Sequence, residues 1–88
     1  MSASERLRQR NVQRRKSELV RELVKQGDMK AALRIAKEFR LGITEEQTRK
    51  MRSAYECMLY PRFYEQIGKN VAEEIEQGTA VLQALYGA

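Results

Sequence analysis

The stretch Leu41 to Gln47, LGITEEQ, carries the clearest helix-start signal in the chain. Gly42 permits a turn. The Thr44 hydroxyl faces the unpaired amides of the turn that follows, and Gln47, three residues on, reaches back to the Thr44 amide to complete a capping box. A helix is therefore predicted from Glu45 to about Tyr60, with Thr48, Met51, Tyr55 and Met58 along one face and Ala54 and Leu59 flanking it. Pro61 lacks an amide proton and disfavours helical geometry in the residue before it, so this helix ends or kinks at Tyr60 and the next begins with Pro61. From there Phe63, Ile67, Val71, Ile75, Gly78, Leu82 and Leu85 keep one phase. That phase predicts a single long helix to Tyr86, about 37 Å at 1.5 Å per residue, with Gly78 inside it at a cost of about 1 kcal/mol relative to alanine. Such a helix outruns its neighbours, and its end, formed by Val81, Leu82, Leu85 and Tyr86, is expected to lack cover.

Upstream of Gly42, Asp28 can cap a second helix whose buried stripe is Met29, Ala32, Leu33, Ala36 and Phe39 and which ends near Arg40. Gly27 stops a first helix running from about Ser4 to Gln26, with Val12, Leu19, Val20, Leu23 and Val24 on one side. Its first turns lack apolar support, so residues 1–15 read as a basic, frayed arm that becomes helical against a partner, and residues 16–88 as a single helical domain. No segment alternates as a half-buried strand would. With 88 residues the chain is too short for two cores. The expected fold is all-α: a compact bundle of about four helices with a long C-terminal helix.

The chain has no His, one Cys and one Asp, Asp28, which already serves as a cap. Nitrogen and sulfur metal sites lack ligands, and a Ser or Cys nucleophile lacks its imidazole base. No Gly-rich phosphate cradle occurs. No catalytic, cofactor or metal site and no small-molecule substrate is expected, and the protein reads as non-enzymatic. Glu73, Glu74 and Glu76 could hold a hard cation but read as a solvated face, and Cys57 reads as a small packing residue on a flank of its helix. A lone cysteine, no secretory signal and no long apolar run point to a cytoplasmic protein that does not enter a membrane.

Charge is tilted along the chain. Met1 to Gln26 carries eight Lys and Arg against three Glu, whereas Pro61 to Ala88 carries two against four Glu. Arg10, Arg14, Arg21 and Lys25 align on the first helix opposite Leu19 and Leu23, where they could follow a phosphate backbone. Glu18 and Glu22 lie beside that row at spacings that pair with it and neutralise part of it. Ala36 to Arg52, AKEFRLGITEEQTRKMR, resembles a helix-turn-helix whose second helix carries Arg49, Lys50 and Arg52. Glu38 stands where that pattern has alanine, and Thr48 where it has an aliphatic residue, so a simple helical hairpin is the better reading. Lys16 to Phe39 is similar to one tetratricopeptide hairpin, but no second copy follows. Tyr55, Tyr60, Phe63 and Tyr64 straddle the Pro61 junction and are expected to form the core of a bend, with partner contact as the alternative.

The segments AALRIAKEFRLGITEEQ, AYECMLYPRFYEQIGKN and VLQALYG together resemble small all-helical proteins encoded by bacteriophages and prophages of Gram-positive bacteria. The resemblance covers Leu19 to Gly87. It implies a protein that acts by binding, in the host cytoplasm, and it brings no functional residues with it. The leading expectation is a regulatory or inhibitory protein that binds a protein partner and self-associates, using Val81, Leu82, Leu85 and Tyr86 and the aromatic Tyr60, Phe63 and Tyr64. The alternative is nucleic-acid binding through Arg10, Arg14, Arg21 and Lys25 with Arg49, Lys50 and Arg52.

Overall fold

Five α-helices make up the regular structure of the described residues: α1 Ala3–Lys25, α2 Met29–Ala36, α3 Glu45–Leu59, α4 Pro61–Gln66 and α5 Val71–Tyr86. The computed structural model describes residues 3–87, with side chains from residue 13 onward. The backbone of α1 is helical from Ala3 without a break at residue 15. The expected contacts of the basic arm fall mostly on side chains outside the described residues.

Local chemistry sets the boundaries. α1 ends in a Schellman motif: Gly27 takes φ 82°, its amide donates to the Val24 carbonyl at 3.0 Å, and the Asp28 amide donates to that of Leu23 at 2.9 Å. The Asp28 carboxylate then accepts from the Ala31 amide at 3.2 Å to start α2. The predicted capping box is present at α3, with the Gln47 amide donating to the Thr44 hydroxyl at 3.1 Å and the Thr44 amide donating to the Gln47 side chain at 3.0 Å. Pro61 stands at the start of α4, as its missing donor requires.

The single helix expected from Pro61 to Tyr86 is instead two. Gly68 adopts φ 92°, its amide donates to Glu65 and the Lys69 amide to Tyr64, a second Schellman motif. Asn70 then caps α5 by accepting from the Glu73 amide at 3.1 Å. A glycine in the left-handed region followed by an N-cap residue ends one helix and aims the next in a new direction. The phase of the apolar stripe survives the break, but the axis does not.

α5 folds back antiparallel along α3. Ser53 donates to the Glu74 carboxylate at 2.8 Å, and one turn further along α5, Gly78 lies against Ala54 and the Lys50 carbonyl. A Cβ on Gly78 would overlap that of Ala54 and sit 2.8 Å from the Lys50 oxygen. The helical glycine is thus required by the close crossing. The core is continuous across the helices: Val20 and Val24 from α1, Ala32, Leu33 and Ala36 from α2, Phe39 beyond it, Met51 and Ala54 from α3, Leu82 and Tyr86 from α5. Phe39 and Tyr86 meet edge to face, centroids 5.9 Å apart. Each fully buried side chain such as Leu33, Met51 or Leu82 contributes roughly 1.5–3 kcal/mol. Leu19, placed on the buried side of α1 by its spacing, is half exposed at 49%, in an open cleft beside Ala31, Arg34 and Ile35 of α2.

Candidate functional site

The C-terminal end of α5 is core. Leu82 is fully buried and Tyr86 nearly so, while Val81 and Leu85 pack partly buried against the same cluster. The expectation of an uncovered apolar end at Val81, Leu82, Leu85 and Tyr86 is therefore corrected: breaking the helix at Gly68 shortens α5 enough for α3 and the rest of the bundle to cover it. Burial raises the Tyr86 phenol above its ordinary pKa, with the Arg21 charge acting weakly in the other sense.

The Pro61 junction is the reverse case. Leu59, Tyr60, Phe63 and Ile67 are 37, 61, 56 and 57% exposed, so of the aromatic residues expected as core at the bend only Tyr55 packs against the core, and Tyr60 and Phe63 are corrected to exposed positions. α4 is six residues long and buries none of them. Tyr64 is half-buried; it stands edge to face with Phe63, under the Lys69 ammonium, and donates its hydroxyl to the Glu56 carboxylate. That bond holds the phenol proton and raises its pKa, desolvation adding to it. Leu59 and Tyr60 continue into a shallow cleft of about 460 Å³ shared with Lys37, Glu38, Arg52, Tyr55 and Glu56.

The basic candidates separate into groups. Arg14, Arg21 and Lys25 are exposed on α1; the Arg10 side chain lies outside the described residues. Neither Glu18 nor Glu22 makes an ion pair within 4.0 Å with that row among the described residues. Among the described residues the ion pairs are Lys37–Glu38 at 2.7 Å and Lys50–Glu46 at 3.5 Å, and Glu22 accepts instead from Gln26. Lys50 is thus engaged within its own helix. Arg49 and Arg52 line a second cleft of about 410 Å³, lined also, among the described residues, by Phe39, Arg40, Ile43, Glu45 and Thr48. The connection between α2 and α3 spans residues 37–44, well beyond the three or four residues of a helix-turn-helix turn; the pair is a helical hairpin.

Two residues of this region escaped the spacing arguments. Arg40 follows the last apolar residue of the α2 stripe and carries no motif. Gln13 fastens its loop: its side-chain amide donates to the Leu41 carbonyl at 2.7 Å and its oxygen accepts from the amides of Arg40 and Leu41 at 3.3 and 3.2 Å. Its position seven residues before Val20, two turns up the same line of α1, is the signal that it faces inward.

The remaining carboxylates and the thiol hold structural posts. Glu73 accepts from Gln77 and Glu74 from Ser53. Cys57 is fully buried, as the packing residue it was expected to be, and burial, with the Glu74 charge, raises its thiol pKa, which disfavours the reactive thiolate. No helix among the described residues is long and apolar enough to cross a membrane. Comparison of the chain with models of protein families, with curated proteins and with solved structures gives no match.

Proposed function

We propose that this chain is a small non-enzymatic regulatory or inhibitory protein that binds a protein partner through the face formed by Leu59, Tyr60, Phe63 and Ile67. One observation carries the reading. Among the described residues, four of the six exposed large apolar side chains fall between residues 59 and 67. A clustered apolar face on a small helical body is a common mark of an interaction site, and tyrosine and phenylalanine are enriched at the centre of such sites. The resemblance to phage and prophage proteins of Gram-positive bacteria supports action by binding, in the host cytoplasm. Self-association through the same face is the form the homo-oligomer takes in this reading.

Phe63→Ser combined with Ile67→Ser tests it. Both side chains are exposed, so helical content and melting should be retained. The expected result is loss of a partner captured from nuclease-treated bacterial lysate, or loss of self-association in sedimentation velocity. Unchanged capture and unchanged sedimentation in the doubly substituted chain would overturn the proposal.

A further inference from the structure

We propose that the cleft of Arg40, Arg49 and Arg52 is a phosphate-binding site for the backbone of a nucleic acid, a second surface distinct from the apolar face of α4. Three arginines from two segments line it, Arg40 from the α2–α3 loop and Arg49 and Arg52 from successive turns of α3, with Thr48 beside them. Arg49 and Arg52 share one face because they are three residues apart on a helix.

Their donors are largely unspent. None of the three makes an ion pair within 4.0 Å among the described residues. Arg52 donates its Nε hydrogen to the Lys37 carbonyl at 3.4 Å, and among the described residues its terminal nitrogens have no further partner. Two carboxylates stand close. Glu38 is held by Lys37 at 2.7 Å, which together with the charges of Arg52 and Arg40 lowers its pKa. Glu45 lines the cleft without an ion pair among the described residues.

The arrangement is also preorganised. The Thr44–Gln47 capping box fixes the start of α3, and Gln13 fixes the backbone of Arg40 and Leu41 by three hydrogen bonds. Planar guanidinium forks match phosphate oxygens two at a time, which ammonium groups do not. The cleft is shallow and open, a shape that lets a strand pass along it and does not enclose a small molecule. A net charge of +5, with Arg14, Arg21 and Lys25 exposed and without an ion pair among the described residues, adds long-range attraction for a polyanion.

The test is fluorescence anisotropy of the full chain with a labelled random-sequence DNA duplex and, separately, a single-stranded RNA, each over a salt series. Binding should weaken with salt, and tighter binding of one probe identifies the strand type the cleft takes. Each Arg→Gln change at Arg40, Arg49 or Arg52 should flatten the log–log salt slope by about 0.9 on the duplex or about 0.7 on the single strand, and all three together by about 2.7 on the duplex. Gln13→Ala alters no charge yet should weaken binding, by a smaller factor than Arg40→Gln, because it releases the Arg40 loop. Phe63→Ser should leave the affinity unchanged, so a failure here is separate from a failure of the protein-binding reading. Should Arg52→Gln disturb folding, Arg40→Gln with Arg49→Gln carries the test. The proposal is overturned if neither probe binds at low salt, if the triple variant binds as the parent does, or if polyglutamate of matched charge displaces the oligonucleotide equally well.

Discussion

The last two turns of α5 and the short α4 carry the same kind of residues on what reads as one stripe, and the fold treats them oppositely. Leu82 and Tyr86 are sealed in the core, whereas Phe63 and Ile67, on the other side of Gly68, are more than half exposed. Their composition does not account for this. The difference is a backbone event: Gly68 turns the chain, Asn70 starts a new helix, and only the segment after the turn lies along α3. Apolar content therefore marks what can be buried, and the position of a glycine relative to a capping residue decides what is.

Breaking the comparison at its strongest point means emptying one side chain on each side of Gly68. Leu82→Ala removes a fully buried side chain and should cost about 2–5 kcal/mol. Phe63→Ala, at 56% exposure, should stay within about 0.5 kcal/mol. Urea unfolding followed by helical circular dichroism measures both. At roughly 0.05–0.15 kcal/mol per residue a domain of this size has about 4–13 kcal/mol in total, so the Leu82 variant should unfold at a clearly lower urea concentration than the parent. Equal effects at the two positions would mean that α5 is not seated on α3 as described.

A smaller effect is expected where α5 crosses α3. Gly78→Ala would gain about 1 kcal/mol of helix propensity on an open helix. Here the new methyl meets Ala54 and the Lys50 carbonyl, and overpacking of this kind costs about 1–3 kcal/mol. Thermal melting should show net destabilisation, and Ala54→Gly added to Gly78→Ala should recover part of the loss. A stabilised Gly78→Ala variant would show that the two helices stand further apart and that the glycine is incidental.

These positions also show what was legible in the chain beforehand. Caps were: Thr44 with Gln47, Asp28 after Gly27, and Pro61 each announce a boundary through donors and acceptors within four residues of one another. The same grammar, glycine and then a capping side chain, is written at Gly68 and Asn70. Spacing arguments passed over it because the stripe from Phe63 to Leu85 continues in phase across the turn. Periodicity reports which residues share a side of a helix and is blind to a change of axis. The surfaces were less legible for a related reason. Arg49 and Arg52 could be placed on one helix face, but Arg40 joins them only because a loop folds over α3. Gln13 reaches that loop across 27 residues of sequence. The missing ion pairs of Glu18 and Glu22 were equally out of reach, since spacing permits such pairs without requiring them.

The finest probe of the comparison is the Tyr86 hydroxyl. Burial raises the phenol pKa in the folded chain above the value of about 10 that it has when unfolded, so the folded state holds that proton more tightly. The resulting stability is fully present below about pH 10 and is lost as pH rises through the higher folded value. Tyr86→Phe keeps the ring against Phe39 and removes the ionising group. At neutral pH it should change stability little, because the hydroxyl makes no hydrogen bond among the described residues, but its stability should fall less steeply than the parent's above pH 10, with the Cys57 thiol and the Tyr64 phenol, both also raised, supplying a loss common to both. Unfolding curves at several alkaline pH values compare the two slopes. Parallel slopes would place the Tyr86 hydroxyl in water in the folded chain and leave only Leu82 to distinguish the end of α5 from the exposed face of α4.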